Sequence, residues 1–574
     1  MKRFSTPAPK TAEARSLPEK RRITTIEWVC VIAVFALTFA FRWPFLAESF
    51  WIDELHTAWC VADGWDEVAP RAKMGNQQPL YFWALWIWQQ ISWPEPFASY
   101  PVEALARLTS LWCVSLSAAL ITWGSLRYHG SLLAATIAGL LFALDRNAAF
   151  FGTELRPYAA VILGSTTAIL FAARIWTSAS RTRTRDWVGL HASVLFAILM
   201  HVTSLVTLAP LVIALSVSDL VHAHGNPTEF KRRTIRHVLW LAGWMIVGLL
   251  IANHQREIWN HRDAWEAFGR PRSLFALWSM WPWVGWTLIP FAFYLLGSAT
   301  LPFRTGSKSQ SDNVSPATAP PAFRVRPASF AALTLSALMI SVISGFFLAK
   351  FLGVPIWHRR YLIAGLPLGC ISLGAWIAAL SLRRHYEILA ASIAFTSLFT
   401  VFFAQGSIYW TPEWSQPGPN RPWLPRVTSY WVHRGEDWRK ALRLIAAETT
   451  PKDKENTLQT EHHVWIDGYL IEQPPIVGEV KNADLANYLT FPAKGPYSLD
   501  SEANLHALGS QTPAEGWKNA VLSKSTNNAH SRHWFLTRSL SSTQREELQG
   551  WLPDAQQQGR FGHLYLFSTT NGRD

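Results

Sequence analysis

Residues 26–46 have the sequence IEWVCVIAVFALTFAFRWPFL, which is apolar almost throughout. A helix needs about 20 apolar residues to cross roughly 30 Å of hydrocarbon, so this stretch is long enough to span a bilayer. Similar stretches recur up to residue 404, whereas residues 1–25 and 405–574 contain none. Of the 574 residues, 49% are hydrophobic and 16% are charged, which excludes a soluble cytosolic enzyme and a disordered or fibrous chain.

The apolar stretches predict a polytopic α-helical membrane protein with about eleven crossings. A further run at 79–93 is short and contains Gln89 and Gln90, so we expect it to lie on the outer surface. The predicted crossings lie near 26–46, 105–126, 131–149, 157–176, 187–203, 204–221, 237–252, 273–300, 328–349, 361–382 and 386–404.

The charges in the connecting loops predict the orientation of these crossings. The loops on the side of the N-terminus hold 22 Lys and Arg against 5 Asp and Glu, and those on the opposite side hold 11 against 13. Basic residues near the ends of crossings favour the cytoplasmic side. We therefore predict a cytoplasmic N-terminus in a bacterial-type inner or plasma membrane. The net charge of +13 then reflects topology, and nucleic acid is not an expected partner.

The same map divides the chain into segments. We expect a basic cytoplasmic tail at 1–25, a membrane domain at 26–404 with its first outer loop at 47–104, a Pro- and Trp-rich linker at 405–435, and a small extracytoplasmic domain at 436–574.

Residues 436–574 have the pattern of a small α/β domain. The stretch EDWRKALRLIAAE (436–448) has helical periodicity, and VWIDGYL, HWFLTRSL and HLYLF have strand patterns. Cys30, Cys113 and Cys370 lie in apolar segments and Cys60 lies alone in a loop, which predicts no disulfide framework and no zinc site.

Polar residues that are far apart in sequence meet at one membrane surface in this map. A carboxylate can take a proton from an attacking hydroxyl, and arginines suit phosphate oxygens. No nucleotide-cradling glycine loop and no Asp-x-Asp pair occurs, so the activated group is expected on a lipid rather than a nucleotide. The polar residues are Asp53, Glu54, Gln78, Tyr81, Arg107, Glu154, Arg156, Tyr158, His201, Arg359, Arg360 and Tyr361.

Each of these residues also has a structural interpretation. An acidic pair in a loop is usually solvated, although Asp53 and Glu54 here follow closely on a crossing and are flanked by tryptophans. The arginines could be snorkelling anchors, and His201 alone is more often a satisfied interior histidine than a ligand. The arginines are informative because they lie on the side where basic residues are disfavoured.

The order of these motifs resembles the GT-C superfamily of glycosyltransferases. The residues that carry the resemblance are Asp53-Glu54, the run Pro79 to Tyr81, Arg107, the motif from Glu154 to Tyr158, and Arg360-Tyr361. The resemblance covers about 26–404 and is closest to the branch with protein O-mannosyltransferases, aminoarabinose transferases acting on lipid A and Rgt-type lipopolysaccharide-core transferases. DWRKAL at 437–442 is also similar to the helix that opens the outer tail of many bacterial members.

The resemblance implies inverting transfer of a hexose or pentose from a polyprenyl-phosphate donor to a hydroxyl of a lipid, glycan or protein on the outer face. Asp53 would be the general base, and Glu54 would support it or help to hold a divalent metal. Gln77-Gln78 stand where the family often has His or Lys before the Pro-Leu run, which leaves the donor sugar open. The implied donor-phosphate residues are Arg107, Arg156, Arg359 and Arg360, and the implied pocket residues are Gln78, Tyr81, Glu154, Tyr158, His201 and Tyr361.

Two other interpretations and the role of a metal stay open at this stage. A transporter or flippase for a lipid-linked sugar would place ionisable groups in mid-membrane and show repeated halves, and neither pattern is seen. A non-catalytic member of the same fold would use its outer domain to bind a partner. The spacing of Asp53, Glu54 and His56 is also compatible with metal ligands, but no cofactor is assigned.

Overall fold

The computed structural model contains a bundle of helices followed by a small five-stranded unit. The predicted tail at 1–25 and the linker at 405–435 lie mostly outside the residues that the structure describes, and the domain boundaries stay predictions. The described residues are 23–92, 94–95, 99–177, 184–254, 269–271, 273–280, 290–296, 327–380, 384–408, 435–449, 461–468, 470, 476–499, 503–512, 514–525, 531–538, 546 and 556–571.

The first predicted crossing is a helix, α1 (Thr25–Arg42), followed by a 3-10 turn at Trp43–Phe45. The backbone N–H of Glu27 donates to the Thr24 hydroxyl at 3.4 Å, and the Thr24 N–H donates to the Glu27 carboxylate at 2.8 Å. This capping box satisfies two backbone donors that a helix start leaves without partners. The predicted helix over 26–46 is confirmed.

The remaining helices follow in chain order. The first loop (47–104) contains three short helices, α2 (Ile52–Cys60), α3 (Trp65–Met74) and α4 (Pro79–Gln89). The bundle continues with α5 (Val102–His129), α6 (Leu132–Leu144), α7 (Arg146–Gly152), α8 (Tyr158–Thr177), α9 (Thr184–Met200), α10 (Ser204–Ala223), α11 (Pro227–His254), α12 (Phe275–Met280), α13 (Pro327–Phe351), α14 (Gly365–Ala379) and α15 (Arg384–Ile408).

Among the described residues, six helices are long and apolar enough to cross a membrane, or seven if α6 and α7 form one span bent by 57°. The chain is therefore an integral membrane protein of polytopic helical fold, as predicted, and the count of eleven crossings stays a prediction. Helix α4 has 11 residues. At 1.5 Å per residue this is roughly 16 Å, about half of what a crossing needs.

The most buried helix of the bundle is α14. All of its residues from Gly365 to Ala378 are buried, and it packs against α13, α6, α5 and α8. A Cβ on Gly374 would lie 2.9 Å from the Cβ of Ala138, so this glycine lets α14 approach α6 closely. In contrast, only 6% of the most apolar stretch of α11 is buried, which fits a helix facing lipid.

The C-terminal unit is a mixed sheet with the strand order β2-β1-β3-β5-β4. Strand β1 pairs in parallel with β2 and β3, and β5 pairs antiparallel with β3 and β4. The predicted helix and three predicted strands are confirmed, whereas β2 and β4 lack a clear alternating pattern and were not predicted. The elements are α16 (Trp438–Thr449), β1 (Glu461–Gly468), α17 (Ala483–Lys494), β2 (Asn504–Gly509), α18 (Ala514–Ser525), β3 (Ser531–Arg538), β4 (Gln556–Phe561) and β5 (Leu564–Asn571).

The C-terminal unit contacts the bundle through the first loop. The Tyr497 hydroxyl accepts a hydrogen bond from the Phe50 N–H at 2.7 Å and donates to the Glu103 carboxylate at 2.7 Å. Arg439 also pairs with Glu103 and donates to the Ala47 carbonyl at 3.0 Å. The chain segment that leads into α2 is therefore held by side chains from the other end of the sequence.

Candidate active site

Asp53 and Glu54, at the start of α2, lie in different environments. That of Glu54 is the more enclosed. Arg107 donates to its carboxylate through Nε at 2.8 Å and Nη2 at 2.5 Å, and both side chains are 0% exposed. Glu54 also accepts from the Leu155 N–H at 2.7 Å. The remaining Arg107 donors bind the carbonyls of Leu46, Glu48 and Ser49, so all five of its N–H groups are engaged.

This pair joins four parts of the chain: the segment after α1, the start of α2, helix α5 and the segment before α8. A bidentate Arg–carboxylate contact of this kind orients both groups strongly. The structure therefore places Arg107 and Glu54 beneath Asp53, where they hold α2. Because its five N–H groups are engaged here, Arg107 differs from Arg156 and Arg360, and its place at a donor phosphate stays a prediction.

Asp53 has a more open environment than Glu54. Its side chain is 29% exposed, and Arg360 donates to Oδ2 through Nη1 at 3.3 Å. Arg156 donates through Nη1 to the backbone carbonyl of the same aspartate at 3.2 Å. Burial raises the pKa of Asp53, but the nearby charges of Arg156 and Arg360 outweigh it and hold the pKa below its ordinary value. Asp53 is therefore ionised and able to accept a proton.

The two arginines beside Asp53 have donors left over. The Nε atoms of Arg156 and Arg360 are buried, and among the described residues neither has a hydrogen-bond partner. Buried polar groups are normally hydrogen-bonded, and an unsatisfied donor costs about 1–3 kcal/mol. Burial lowers the pKa of both arginines, but Asp53 and neighbouring groups raise it by more than burial lowers it. Both arginines therefore stay charged. This leaves two fixed positive charges with donors that a phosphate oxygen would satisfy.

An aromatic wall forms one side of the site. His201 packs between Tyr158 and Tyr361, with ring centroids 5.3 Å and 5.5 Å apart, and Arg360 lies 5.0 Å above the Tyr361 ring. The Thr203 hydroxyl bonds His201 Nδ1 at 2.8 Å. The structure thus brings His201, Tyr158 and Tyr361 together, as predicted from the sequence.

Two further predicted pocket residues, Gln78 and Tyr81, lie at the start of α4. Asn76 has a positive φ of 57°, a conformation that Asn tolerates, and it turns the chain ahead of Gln78. The Gln78 Nε2 and Tyr81 hydroxyl are buried and have no partner among the described residues. Burial raises the pKa of Tyr81, while the charge of Arg156 opposes it and that of Glu154 adds to it, which places Tyr81 within reach of both.

Arg359 has a different location from Arg360. Its charge acts on Asp145, which caps α7 by accepting from the N–H groups of Asn147 and Ala148. The largest influences on the pKa of Asp53 include Arg156 and Arg360 and do not include Arg359. Of the four arginines predicted for a donor phosphate, Arg156 and Arg360 are therefore the two that the structure brings together beside Asp53.

The sequence did not point to two further residues near Asp53. Arg538, at the end of β3, is one of the charges that lower the pKa of Asp53. Glu436 accepts a hydrogen bond from the N–H of Ile52, the residue before Asp53, at 3.1 Å. Both belong to the C-terminal unit, more than 380 residues away in sequence, and no local signal connects them to α2.

The possible metal ligands do not form a metal site. No group of three or more His, Cys, Asp or Glu side chains could hold a metal ion within the described part of the chain. The Glu54 carboxylate is occupied by Arg107 and the Leu155 N–H. His56 packs against Trp59, Phe82 and Tyr488, and burial lowers its pKa to about 3. We therefore assign no step of the chemistry to a metal.

The fold is similar to two solved structures. One is the crystal structure of ArnT from Cupriavidus metallidurans in the apo state, with 12% sequence identity, a TM-score of 0.47, and coverage of 95% of this chain and 97% of that chain. The other is the archaeal oligosaccharyltransferase AglB from Archaeoglobus fulgidus in complex with an inhibitory peptide and a dolichol-phosphate, with 10% identity, a TM-score of 0.38, and coverage of 92% and 71%. No family model and no curated protein matches the sequence.

Proposed function

We propose that the protein is a membrane glycosyltransferase that moves a sugar from a polyprenyl-phosphate donor to a hydroxyl of a lipid, glycan or protein acceptor. The observation that carries the proposal is the arrangement around Asp53. A partly exposed carboxylate lies beside two buried arginines, Arg156 and Arg360, whose Nε donors are unsatisfied. Transfer from a sugar phosphate requires a base and a pair of phosphate-binding groups at the same site.

The proposed reaction is a single displacement. The acceptor hydroxyl gives its proton to the Asp53 carboxylate as its oxygen forms a bond to the anomeric carbon. The bond between that carbon and the phosphate oxygen breaks, its electron pair stays on the phosphate, and polyprenyl phosphate leaves. Attack from the side opposite to the phosphate inverts the anomeric configuration. Arg156 and Arg360 stabilise the negative charge that develops on the leaving phosphate.

The residues around this point suit a sugar. Tyr158, His201 and Tyr361 offer apolar ring faces, and Gln78 and Tyr81 offer buried polar groups without partners among the described residues. Pockets of this kind combine an apolar lining with a few placed polar groups that fix the ligand's orientation. We assign the ring faces to packing against the sugar and the polar groups to binding its hydroxyls.

The charge distribution supports an extracytoplasmic location for this site and for the C-terminal unit. The loops on the side of Asp53 are nearly neutral, whereas those on the opposite side are strongly basic. A cysteine at exposed Asp66 in the first loop would react with a membrane-impermeant thiol reagent in intact cells if this orientation is correct. Protection of that cysteine until the cells are opened would reverse the proposed topology.

The activity is tested with membranes from cells that express the chain. They are incubated with a panel of polyprenyl-phosphate sugars, and glycosylated products are identified by mass spectrometry. Asp53→Asn should abolish transfer, and Asp66→Asn, an acidic position in the same loop outside the site, should retain it. Unchanged transfer by Asp53→Asn would remove Asp53 from the mechanism. Movement of the lipid-linked sugar across the membrane without product would favour a flippase.

A further inference from the structure

Glu436 connects the C-terminal unit to the helix that carries Asp53. Its side chain is 2% exposed, and its Oε2 accepts from the Ile52 N–H at 3.1 Å and from Trp438 Nε1 at 2.8 Å. Its Oε1 accepts from Arg538 Nε at 2.8 Å. A buried carboxylate with three donors from three segments has a defined position, because each contact restricts it in a different direction.

The contact with Ile52 is made at the first residue of α2. The first N–H groups of a helix have no partner within the helix, and a carboxylate placed there also interacts favourably with the helix dipole. Glu54 of α2 accepts from the Trp51 N–H at 3.4 Å and pairs with Arg107, while the Ile52 N–H donates to Glu436. Glu436 therefore caps α2 from outside, one residue before the proposed base.

Arg538 is held in turn by the sheet. Its backbone N–H donates to the Asp467 carboxylate at 3.2 Å, and the Thr537 hydroxyl donates to the same carboxylate at 2.8 Å. The Arg538 side chain is then directed to Glu436. The charged and titratable groups near Asp53 include Arg156, Arg360, Arg538, His56 and His358.

A second set of contacts holds the segment before α2. The Tyr497 hydroxyl accepts from the Phe50 N–H, and the Arg439 N–H donates to the Ser49 hydroxyl at 3.3 Å. The backbone that enters α2 is thus fixed by the C-terminal unit at successive positions from Ser49 to Ile52. A shift of about 1 Å in a reacting group can cost roughly 100-fold in rate, so contacts at this place have consequences for catalysis.

We propose that Glu436 and Arg538 are positioning residues of the transfer reaction, through which the C-terminal unit fixes the start of α2 and hence the Asp53 carboxylate. The inference rests on the proposed function, since it assigns Asp53 the role of base. It gives the C-terminal unit a part in the chemistry: the site is complete only when this unit is seated on the first loop.

The test compares pH–rate profiles of the full chain for Glu436→Ala, Glu436→Gln, Arg538→Met and Arg538→Lys, with the donor that the panel identifies. Arg532→Met is the matched control, because Arg532 lies on the same strand and pairs with the half-exposed Glu448 at 3.1 Å. Glu436→Ala should lower kcat about 10- to 100-fold with little change in the donor KM, and Glu436→Gln should recover part of the loss. Arg532→Met should match the wild type.

Arg538→Met should move the acid limb of the profile to higher pH. Arg538 helps to lower the pKa of Asp53, and the base must be ionised to act, so loss of this charge requires a higher pH for the same ionised fraction. Arg538→Lys retains the charge and should move the limb less. A mere loss of stability would lower the rate at every pH without this difference between Met and Lys.

Hydrogen exchange on the full chain provides a readout that needs no substrate. Peptides covering residues 50–55 should exchange faster in Glu436→Ala than in the wild type or in Arg532→Met. If Glu436 and Arg538 variants match the control in rate, profile and exchange, the positioning role is wrong while the proposed function stands. If Asp53→Asn retains transfer, Asp53 is not the base and the positioning role falls with it. If the wild type transfers no sugar from any donor of the panel, the proposed function fails, and the exchange result still reports whether Glu436 caps α2.

Discussion

Two aspartates at opposite ends of the bundle have similar neighbours but differ in how far these neighbours satisfy them. Asp219 accepts from Arg233 at 2.8 Å, Arg236 at 2.5 Å and His237 at 3.0 Å, and its side chain is 4% exposed. Asp53 accepts from Arg360 at 3.3 Å and is 29% exposed. Both therefore combine an aspartate with arginines, at the two ends of the protein.

The length of helix α10 shows how far apart the clusters around Asp219 and Asp53 lie. It begins at Ser204, whose hydroxyl donates to the carbonyl of His201 in the aromatic wall. Asp219 lies fifteen residues further along, which is roughly 22 Å at 1.5 Å per residue. The lone pairs of Asp219 are used to hold α10 against α11, whereas Asp53 keeps exposed oxygen. Among the described residues, the Nε atoms of Arg156 and Arg360 have no hydrogen-bond partner, and neither has that of Arg236 beside Asp219. The open carboxylate of Asp53, rather than the presence of Asp and Arg or an unsatisfied Nε, therefore marks the candidate site.

Exchange of each aspartate for asparagine is the strongest test of this difference. Asp53→Asn should lower sugar transfer about 100- to 10,000-fold, the usual contribution of a general base. Asp219→Asn should leave kcat near the wild-type value and lower the thermal unfolding midpoint, because Arg233, Arg236 and His237 lose their shared carboxylate. Product formation and the unfolding midpoint are measured on the same preparations, and an equal loss of transfer in both variants would contradict the distinction.

The Glu54–Arg107 pair should behave like the Asp219 cluster and not like the site. Arg107→Met removes one partner of a fully enclosed pair and should cost about 3–5 kcal/mol of unfolding free energy. The fraction of this variant that remains folded should have a nearly unchanged KM for the donor, because Arg107 has no N–H left for a phosphate. Denaturant unfolding and donor titration separate the two effects. A large rise in KM without loss of stability would place Arg107 in the donor site.

Conservative exchange of the site arginines should have a smaller effect. Arg156→Lys and Arg360→Lys keep the charge but lose the Nε donor and the planar fork, so we expect about a 10-fold loss in kcat/KM for each. Arg233→Lys, in the Asp219 cluster, serves as the matched exchange and should leave kcat/KM unchanged. Initial rates over a range of donor concentrations measure this, and equal losses for all three would show no special role for the site arginines.

Acidification should have the smallest of these effects. It should lower the stability of the folded protein little near neutral pH and more at lower pH. Burial lowers the pKa of His56 to about 3, while an unfolded histidine has a pKa near 6.5. The unfolded chain therefore binds more protons between these values, and the stability present above pH 6.5 is lost as the pH falls toward 3. The unfolding midpoint of His56→Gln should depend less on pH than that of the wild type. An identical slope would argue against a neutral, buried His56.

The sequence predicted the helical fold well because its signals are local. In a membrane, an apolar stretch such as 26–46 must form its backbone hydrogen bonds within itself. A helix satisfies this requirement. The strand patterns of β1, β3 and β5 were recognised for the same reason. Strands β2 and β4 were not, since Asn504–Gly509 and Gln556–Phe561 lack regular alternation and become strands through their neighbours in the sheet.

The candidate site was predicted only in part. The prediction gathered Asp53, Arg156, Arg360 and the aromatic residues at one surface, and the structure places them in contact. It could not distinguish Arg107 from Arg156, because both are arginines on the same predicted side. The difference arises from the carbonyls and carboxylate that happen to surround Arg107.

By itself, the sequence determined that this chain enters a membrane, which segments become helices and which chemical groups collect at one face, because hydrophobicity and charge act through nearest neighbours and through the bilayer. Only the tertiary structure decided which of those groups are satisfied and which stay open to a ligand. It also decided that Glu436 and Arg538 reach α2 from the far end of the chain. Hydrogen-bond satisfaction depends on distances of about 3 Å between residues that are hundreds of positions apart, and no local pattern encodes them.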